Sequence, residues 1–182
     1  MQIDIYVKKT TKTYKTDYGV PFQCVELIRR FFAMVSHVSF PDVVDATDFF
    51  TQIIHLSAIG NDLKSHTPQC AVLNLHRYNN IHTLDMKPLK TFSYPYTHNP
   101  LKPGSVLFWK PRKPNFPYGH CALIVQSDEN ETIIIQQNLN PPIKRYNTKE
   151  LFAKMNRPDS KFLGIKTVPF RLPKVVYNVI KI

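Results

Sequence analysis

The chain reads as an α+β domain, with N-terminal helices packed on an antiparallel β-sheet. Three observations lead there. Apolar residues fall at helical spacing from Val25 to Val35, and again after Pro41. From Ser105 onward they gather instead in short, nearly continuous runs, which suit strands covered on both faces. The spacing between these runs is short, which suits an antiparallel meander, and helices first with strands later define the class.

The elements follow in order. Residues 1–17 are polar and rich in Lys and Thr, and the alternation Ile3, Ile5, Val7 predicts a short strand. Pro21 closes the loop before the first helix, whose apolar face is Leu27, Ile28, Phe31, Phe32 and Val35. A second helix fits Val43 to about Leu56, with Asp42 as N-cap behind Pro41. Residues 57–103 carry Asn61, Pro68, Asn79, Asn80, Pro88, Pro95 and Pro100, and read as short pieces and loops. The turn Leu101-Lys102-Pro103-Gly104 leads into a strand, Ser105–Trp109, and Lys110–Tyr118 is a proline-containing loop. Strands are expected at Cys121–Gln126 and Thr132–Gln137, with Asp128–Glu131 as the turn between them. A late helix spans Thr148–Met155, capped by Thr148, and Phe162–Ile165 and Val175–Tyr177 are closing strands.

At 182 residues the chain is long enough for a real core and is most simply one domain, 1–182. A hydrophobic fraction of 43% against 20% charged residues makes it globular rather than disordered. The net charge of +11 admits an acidic partner such as nucleic acid or an anionic surface. The basic residues are spread along the chain without a dense block, which favours a solubilising charge instead. The three cysteines, Cys24, Cys70 and Cys121, have no regular spacing and suit a reducing compartment. No stretch at the start resembles a signal peptide, and no run approaches the roughly 20 apolar residues of a membrane span. A cytoplasmic setting is the expectation, and the oligomeric state is not readable.

Chemistry concentrates at two cysteine-hydrolase contexts. Tyr18-Gly19-Val20-Pro21-Phe22-Gln23-Cys24-Val25-Glu26 is a loop entering a helix, which puts Cys24 in the first turn, where a thiol is partly thiolate. Its own backbone N–H would point out of that helix end, toward a tetrahedral oxyanion. Tyr118-Gly119-His120-Cys121 is a loop entering a buried strand, which gives His120 a rigid mount as general base. A buried cysteine on an apolar helix face is ordinary core filling; the Gly19 turn, Pro21 and Gln23 argue against that here. His37, His55, His66, His76, His82 and His98 have no strand context and read as exposed. Cys121 alternates to the face opposite His120, so it and Cys70 read as structural. No Cys/His spacing fits a metal, and no cofactor is called for. Gln136, Gln137 and Asn138 end the neighbouring strand and supply amides able to orient an imidazole.

At this point the sequence resembles a known family. Phe22-Gln23-Cys24-Val25-Glu26-Leu27-Ile28-Arg29-Arg30 is similar to the nucleophile motif of CHAP domains, the cysteine, histidine-dependent amidohydrolases/peptidases. Within that group it resembles the amidase domain of glutathionylspermidine and trypanothione synthetases. Pro103–Trp109, Gly119–Val125, Ile135–Asn138 and Phe162–Gly164 resemble further family segments in the right order, and together the likeness covers roughly 14–168. The resemblance implies a papain-like fold and amide hydrolysis through a thioester, with Cys24 as nucleophile and His120 as base. It places Gln136 where the amidases carry a glutamate, so a neutral amide would orient the histidine, as in papain-like enzymes. It makes Arg29 a substrate contact, and Gln23 beside the nucleophile is read as another. On this footing Gln136→Glu is expected to be tolerated. The chain has no room for an ATP-dependent ligase domain.

The expected function is therefore a thiol amidase or peptidase acting on a peptide or peptide conjugate. The alternatives are a catalytically weak member that binds a peptide or protein, supported by Gln136, and a basic nucleic-acid-binding module, supported by charge alone.

Overall fold

The computed structural model describes residues 2–6, 23–36, 38–58, 87–112, 114, 117–168 and 176–180. Its centre is a six-stranded antiparallel sheet in the order β5-β10-β6-β7-β8-β9. These strands are β5 (Lys90–Phe92), β6 (Val106–Trp109), β7 (His120–Ser127), β8 (Glu131–Ile135), β9 (Ile143–Asn147) and β10 (Phe162–Thr167). Around it lie the helices α1 (Cys24–Ser36), α2 (Ala46–Gln52) and α3 (Thr148–Met155). A small sheet joins β2 (Val38–Ser39), β3 (His55–Ala58) and β4 (Lys87–Pro88) in that order. A parallel pair joins β1 (Gln2–Tyr6) to β11 (Val176–Ile180). The α+β class and the β6-β7-β8 meander are as expected.

The continuous apolar runs have a direct cause. Successive side chains point to opposite faces of the sheet, and both faces are covered. Val106, Phe108, Cys121, Leu123 and Ile135 face one core, shared with Leu27, Ile28, Phe31 and Phe32 of α1 and Phe49 of α2. Leu107, Ala122, Ile124, Ile134 and Ile165 face the other, shared with Leu151 and Met155 of α3. A chain of aromatic rings ties the first core together. Phe40 stacks on Phe49 at 4.3 Å, and Phe49 meets Phe108 edge-on at 5.1 Å.

Several expectations need correction. The second helix starts at Ala46, not Val43, and its N-cap is Asp45, whose Oδ1 accepts from the backbone N–H groups of Thr47 (2.7 Å) and Asp48 (2.9 Å). Asp42 is engaged elsewhere, by Arg29 at 3.0 Å. The same helix ends at Gln52, because His55–Ala58 leaves it to pair with β2 and β4. The late helix has the expected span, but Asn147 caps it, accepting from Glu150 N–H at 3.1 Å. Thr148 instead turns inward to Thr132 Oγ1 at 2.9 Å. His98 is exposed as expected, whereas His55 is half-buried at the start of β3. His37, His66, His76, His82 and Cys70 lie outside the described residues. No helix among the described residues is long and apolar enough to cross a membrane.

Candidate active site

Cys24 is the first residue of α1 and is partly exposed, so its thiol sits at the positive end of the helix. His120 is the first residue of β7 and is buried. Gly119 makes that entry possible. Its φ is +68°, and a Cβ there would lie 2.8 Å from the Trp109 carbonyl oxygen. The Trp109 ring lies 5.4 Å from the imidazole and walls one side of it.

Folding brings the two together, close enough that the field of His120 lowers the pKa of the Cys24 thiol. On its other side, the imidazole Nε2 is 3.1 Å from Gln136 Oε1. Which way round the Gln136 amide sits is fixed by its far end, where Nε2 donates to the Pro141 carbonyl at 2.7 Å. A carbonyl can only accept, so the Gln136 oxygen faces the ring and His120 Nε2 must carry the proton it donates. In the neutral ring Nδ1 is then the nitrogen able to accept a proton.

The three amides after β8 divide their work. Gln136 holds His120. Gln137 Nε2 donates to Glu26 Oε2 at 2.7 Å and to the Gln23 carbonyl at 3.2 Å, while its oxygen accepts from Arg30 Nη2 at 2.9 Å. Arg30 Nε closes the triangle on Glu26 Oε1 at 2.7 Å. Asn138, at φ 63°, donates to the Gln23 side-chain oxygen at 2.9 Å. The loop that carries Gln136 is thereby fastened to the turn of α1 that carries Cys24.

Cys121 needs a different account from the sequence reading. It does face the α1-side core, as strand alternation requires. But α1 begins beside the start of β7, so Cys121 is also a neighbour that acts on the ionisation of the Cys24 thiol. Cys24 is held well below the ordinary cysteine range, first by the hydrogen bond from the Cys121 thiol. Burial opposes this, and the charge and hydrogen bond of His120 and the Cys121 N–H add to it. Cys121 is pushed well above the ordinary range by burial, and then by its hydrogen bond to Cys24 and that group's charge. The two shifts run in opposite directions, favouring the thiolate at Cys24 and the thiol at Cys121.

Arg29 does not have the environment of a substrate contact. It is buried, its Nη1 is 3.0 Å from Asp42 Oδ1, and its guanidinium lies 5.6 Å from the Phe40 ring centre. Burial lowers its pKa against the opposing pull of Asp42 and then Glu26. Its place is a strut between α1 and the loop before α2. Gln23 borders Cys24, with its side-chain oxygen taken by Asn138. Sequence reasoning missed Glu26, Arg30 and Cys121. The i,i+4 spacing of Glu26 and Arg30 was a visible signal, but nothing marked that face of α1 as buried. Among the described residues, no group of three or more His, Cys, Asp or Glu side chains converges in a way that could hold a metal.

No protein-family model matches the chain, and no characterised protein matches it in sequence. Solved structures similar to it include the crystal structure of Ly7917, at 13% identity and a TM-score of 0.44, over 83% of this chain and 55% of that one. Another is Ly7917 with the hydrolyzing product of MDP, at 13% identity and a TM-score of 0.45, over 82% and 55%. The chain spans about half the length of those proteins. At this distance the likeness bears on neither substrate nor chemistry.

Proposed function

We propose that this protein is a thiol-dependent amide hydrolase of papain-like, CHAP-type design, acting on a peptide or peptide conjugate. The observation that carries the reading is one line of side chains: the Cys24 thiol at a helix start, His120 near enough to lower its pKa, and Gln136 Oε1 3.1 Å from a ring nitrogen of His120. A nucleophile, a base and a group that fixes the base's tautomer are the parts amide cleavage requires.

In this reading Cys24 attacks the amide carbonyl as thiolate. The oxyanion takes the Cys24 backbone N–H at the open end of α1. Protonated His120 gives its proton to the leaving amine, and a thioester remains on Cys24. His120 then accepts a proton from water, which attacks the thioester and releases the acid and the thiolate. Gln136 performs no bond-making; it fixes the tautomer of the ring.

A second reading draws on the neutral side chain of Gln136, which stabilises imidazolium less than a carboxylate would. There the same cleft binds a peptide without turnover. The two are separated by a library of amide and isopeptide substrates run on wild type beside Cys24→Ala. Hydrolysis by wild type alone supports the enzyme. Equal background rates with retained peptide binding support the binding module.

A further inference from the structure

We propose that Gln137 is a positioning residue for the oxyanion donor, holding the Gln23–Cys24 peptide unit so that its N–H faces the substrate carbonyl. Gln137 has this role on the amide-hydrolase reading of the site, and acts through the backbone rather than on substrate. A trans peptide unit is planar, with its C=O and N–H pointing in opposite directions. The Gln23 carbonyl and the Cys24 N–H are the two ends of one such unit. Whatever fixes the direction of the carbonyl therefore fixes the direction of the N–H. Two donors hold that carbonyl: the Leu27 N–H of α1 at 3.2 Å, and Gln137 Nε2, also at 3.2 Å. Each bond is at the long end of the usual range, so neither alone sets the unit firmly.

The Gln137 amide has one orientation, set by its neighbours. Its oxygen accepts from Arg30 Nη2 at 2.9 Å, and a guanidinium can only donate. Its nitrogen therefore faces Glu26 Oε2, at 2.7 Å, and the Gln23 carbonyl, so each of its two hydrogens has an acceptor. Arg30 Nε and Glu26 Oε1 are joined in turn at 2.7 Å. All three side chains are buried, where these bonds are stronger than in water. Gln137 also follows Gln136 in the chain. One loop thus sets the base, through Gln136 and His120, and the oxyanion donor, through the Gln23 carbonyl. An oxyanion donor works by its aim, and losing one outright costs on the order of 100- to 1,000-fold in rate. A donor left in place but tilted costs part of that, roughly 10- to 100-fold.

The test uses the full chain and Gln137→Met, which keeps the bulk and removes the donor. That change also takes a partner from Glu26 and from Arg30. It is therefore repeated on Glu26→Met with Arg30→Leu, where no buried charge is left to disturb. Two readouts are taken on folded protein. In amide NMR of the isotope-labelled chain, the Cys24 N–H signal is expected to shift and broaden on loss of Gln137 in both backgrounds. In turnover, kcat is expected to fall roughly 10- to 100-fold with KM nearly unchanged. Iodoacetamide labelling of Cys24, which forms no oxyanion, is expected to keep its rate. A bond that only stabilised the fold would leave kcat of the folded variant unchanged. An unmoved Cys24 amide signal in either background would overturn the proposal, as would unchanged kcat, or kcat and labelling falling together. The amide signal reads the peptide without turnover, so a wild type that hydrolyses nothing contradicts the hydrolase reading alone.

Discussion

Gln136 uses both ends of its amide: the oxygen faces His120 Nε2 at 3.1 Å, and the nitrogen donates to the Pro141 carbonyl at 2.7 Å. The second bond makes the residue more than a neutral substitute for a carboxylate. Gln136→Glu puts an oxygen against the Pro141 carbonyl and removes the donor, so the tolerance expected from sequence does not follow. Its expected cost is about 1–3 kcal/mol of stability, read by urea denaturation. Gln136→Ala is expected to slow turnover on the order of 100-fold, with the larger effect on kcat, and to fall short of the loss in Cys24→Ala.

The triangle of Glu26, Arg30 and Gln137 is buried and holds the Gln136 loop to α1. Removing one charge strands the other. Arg30→Ala is therefore expected to destabilise by about 3–5 kcal/mol, and Glu26→Met combined with Arg30→Leu by less than Arg30→Ala alone. Urea denaturation of the two variants measures the order. A double variant weaker than Arg30→Ala would count against the argument.

What the sequence made legible follows from periodicity and special residues. Apolar spacing marked α1 and β6 to β8, and the Gly119-His120 step marked the start of β7. The edge strand β9 was illegible because Ile143-Lys144-Arg145-Tyr146-Asn147 carries charges and has only one covered neighbour edge. The start of α2 was misplaced because Asp42 and Asp45 are equal cap candidates until Arg29 claims the first. Strand alternation assigned the right face to Cys121 but not its neighbour, since which helix end meets a strand end is a tertiary fact.

Gly119→Ala tests how the histidine is mounted. At φ +68°, with the Trp109 carbonyl 2.8 Å from the new Cβ and Thr47 Oγ1 at 3.2 Å, the backbone must move. The expected cost is about 1–3 kcal/mol. Activity is expected to fall with it, because the shift passes directly to His120. A fully stable variant with wild-type rates would show that the turn does not position the ring.

Lys166 is buried in β10, donates to Thr91 Oγ1 at 3.0 Å, and is pulled down to about 8 by burial. Its value in the unfolded chain is about 10.4. Between those limits the unfolded chain holds a proton that the folded chain has lost, so this residue makes stability rise with pH across the window and fall as pH drops toward 8. Lys166→Met is expected to remove that slope and to stabilise the protein at neutral pH. Urea denaturation of both proteins at pH 7 and at roughly pH 9.5 reads the difference. An unchanged slope would show that Lys166 is not its source.

The pull of His120 and Cys121 on the Cys24 thiol is read most directly in the pH dependence of its alkylation. The rate of iodoacetamide labelling at Cys24, followed by mass spectrometry of its peptide, is expected to titrate well below the unperturbed value of about 8.5. In His120→Ala the midpoint is expected to move upward toward that value. A wild-type midpoint at the unperturbed value, unmoved by His120→Ala, would contradict the account.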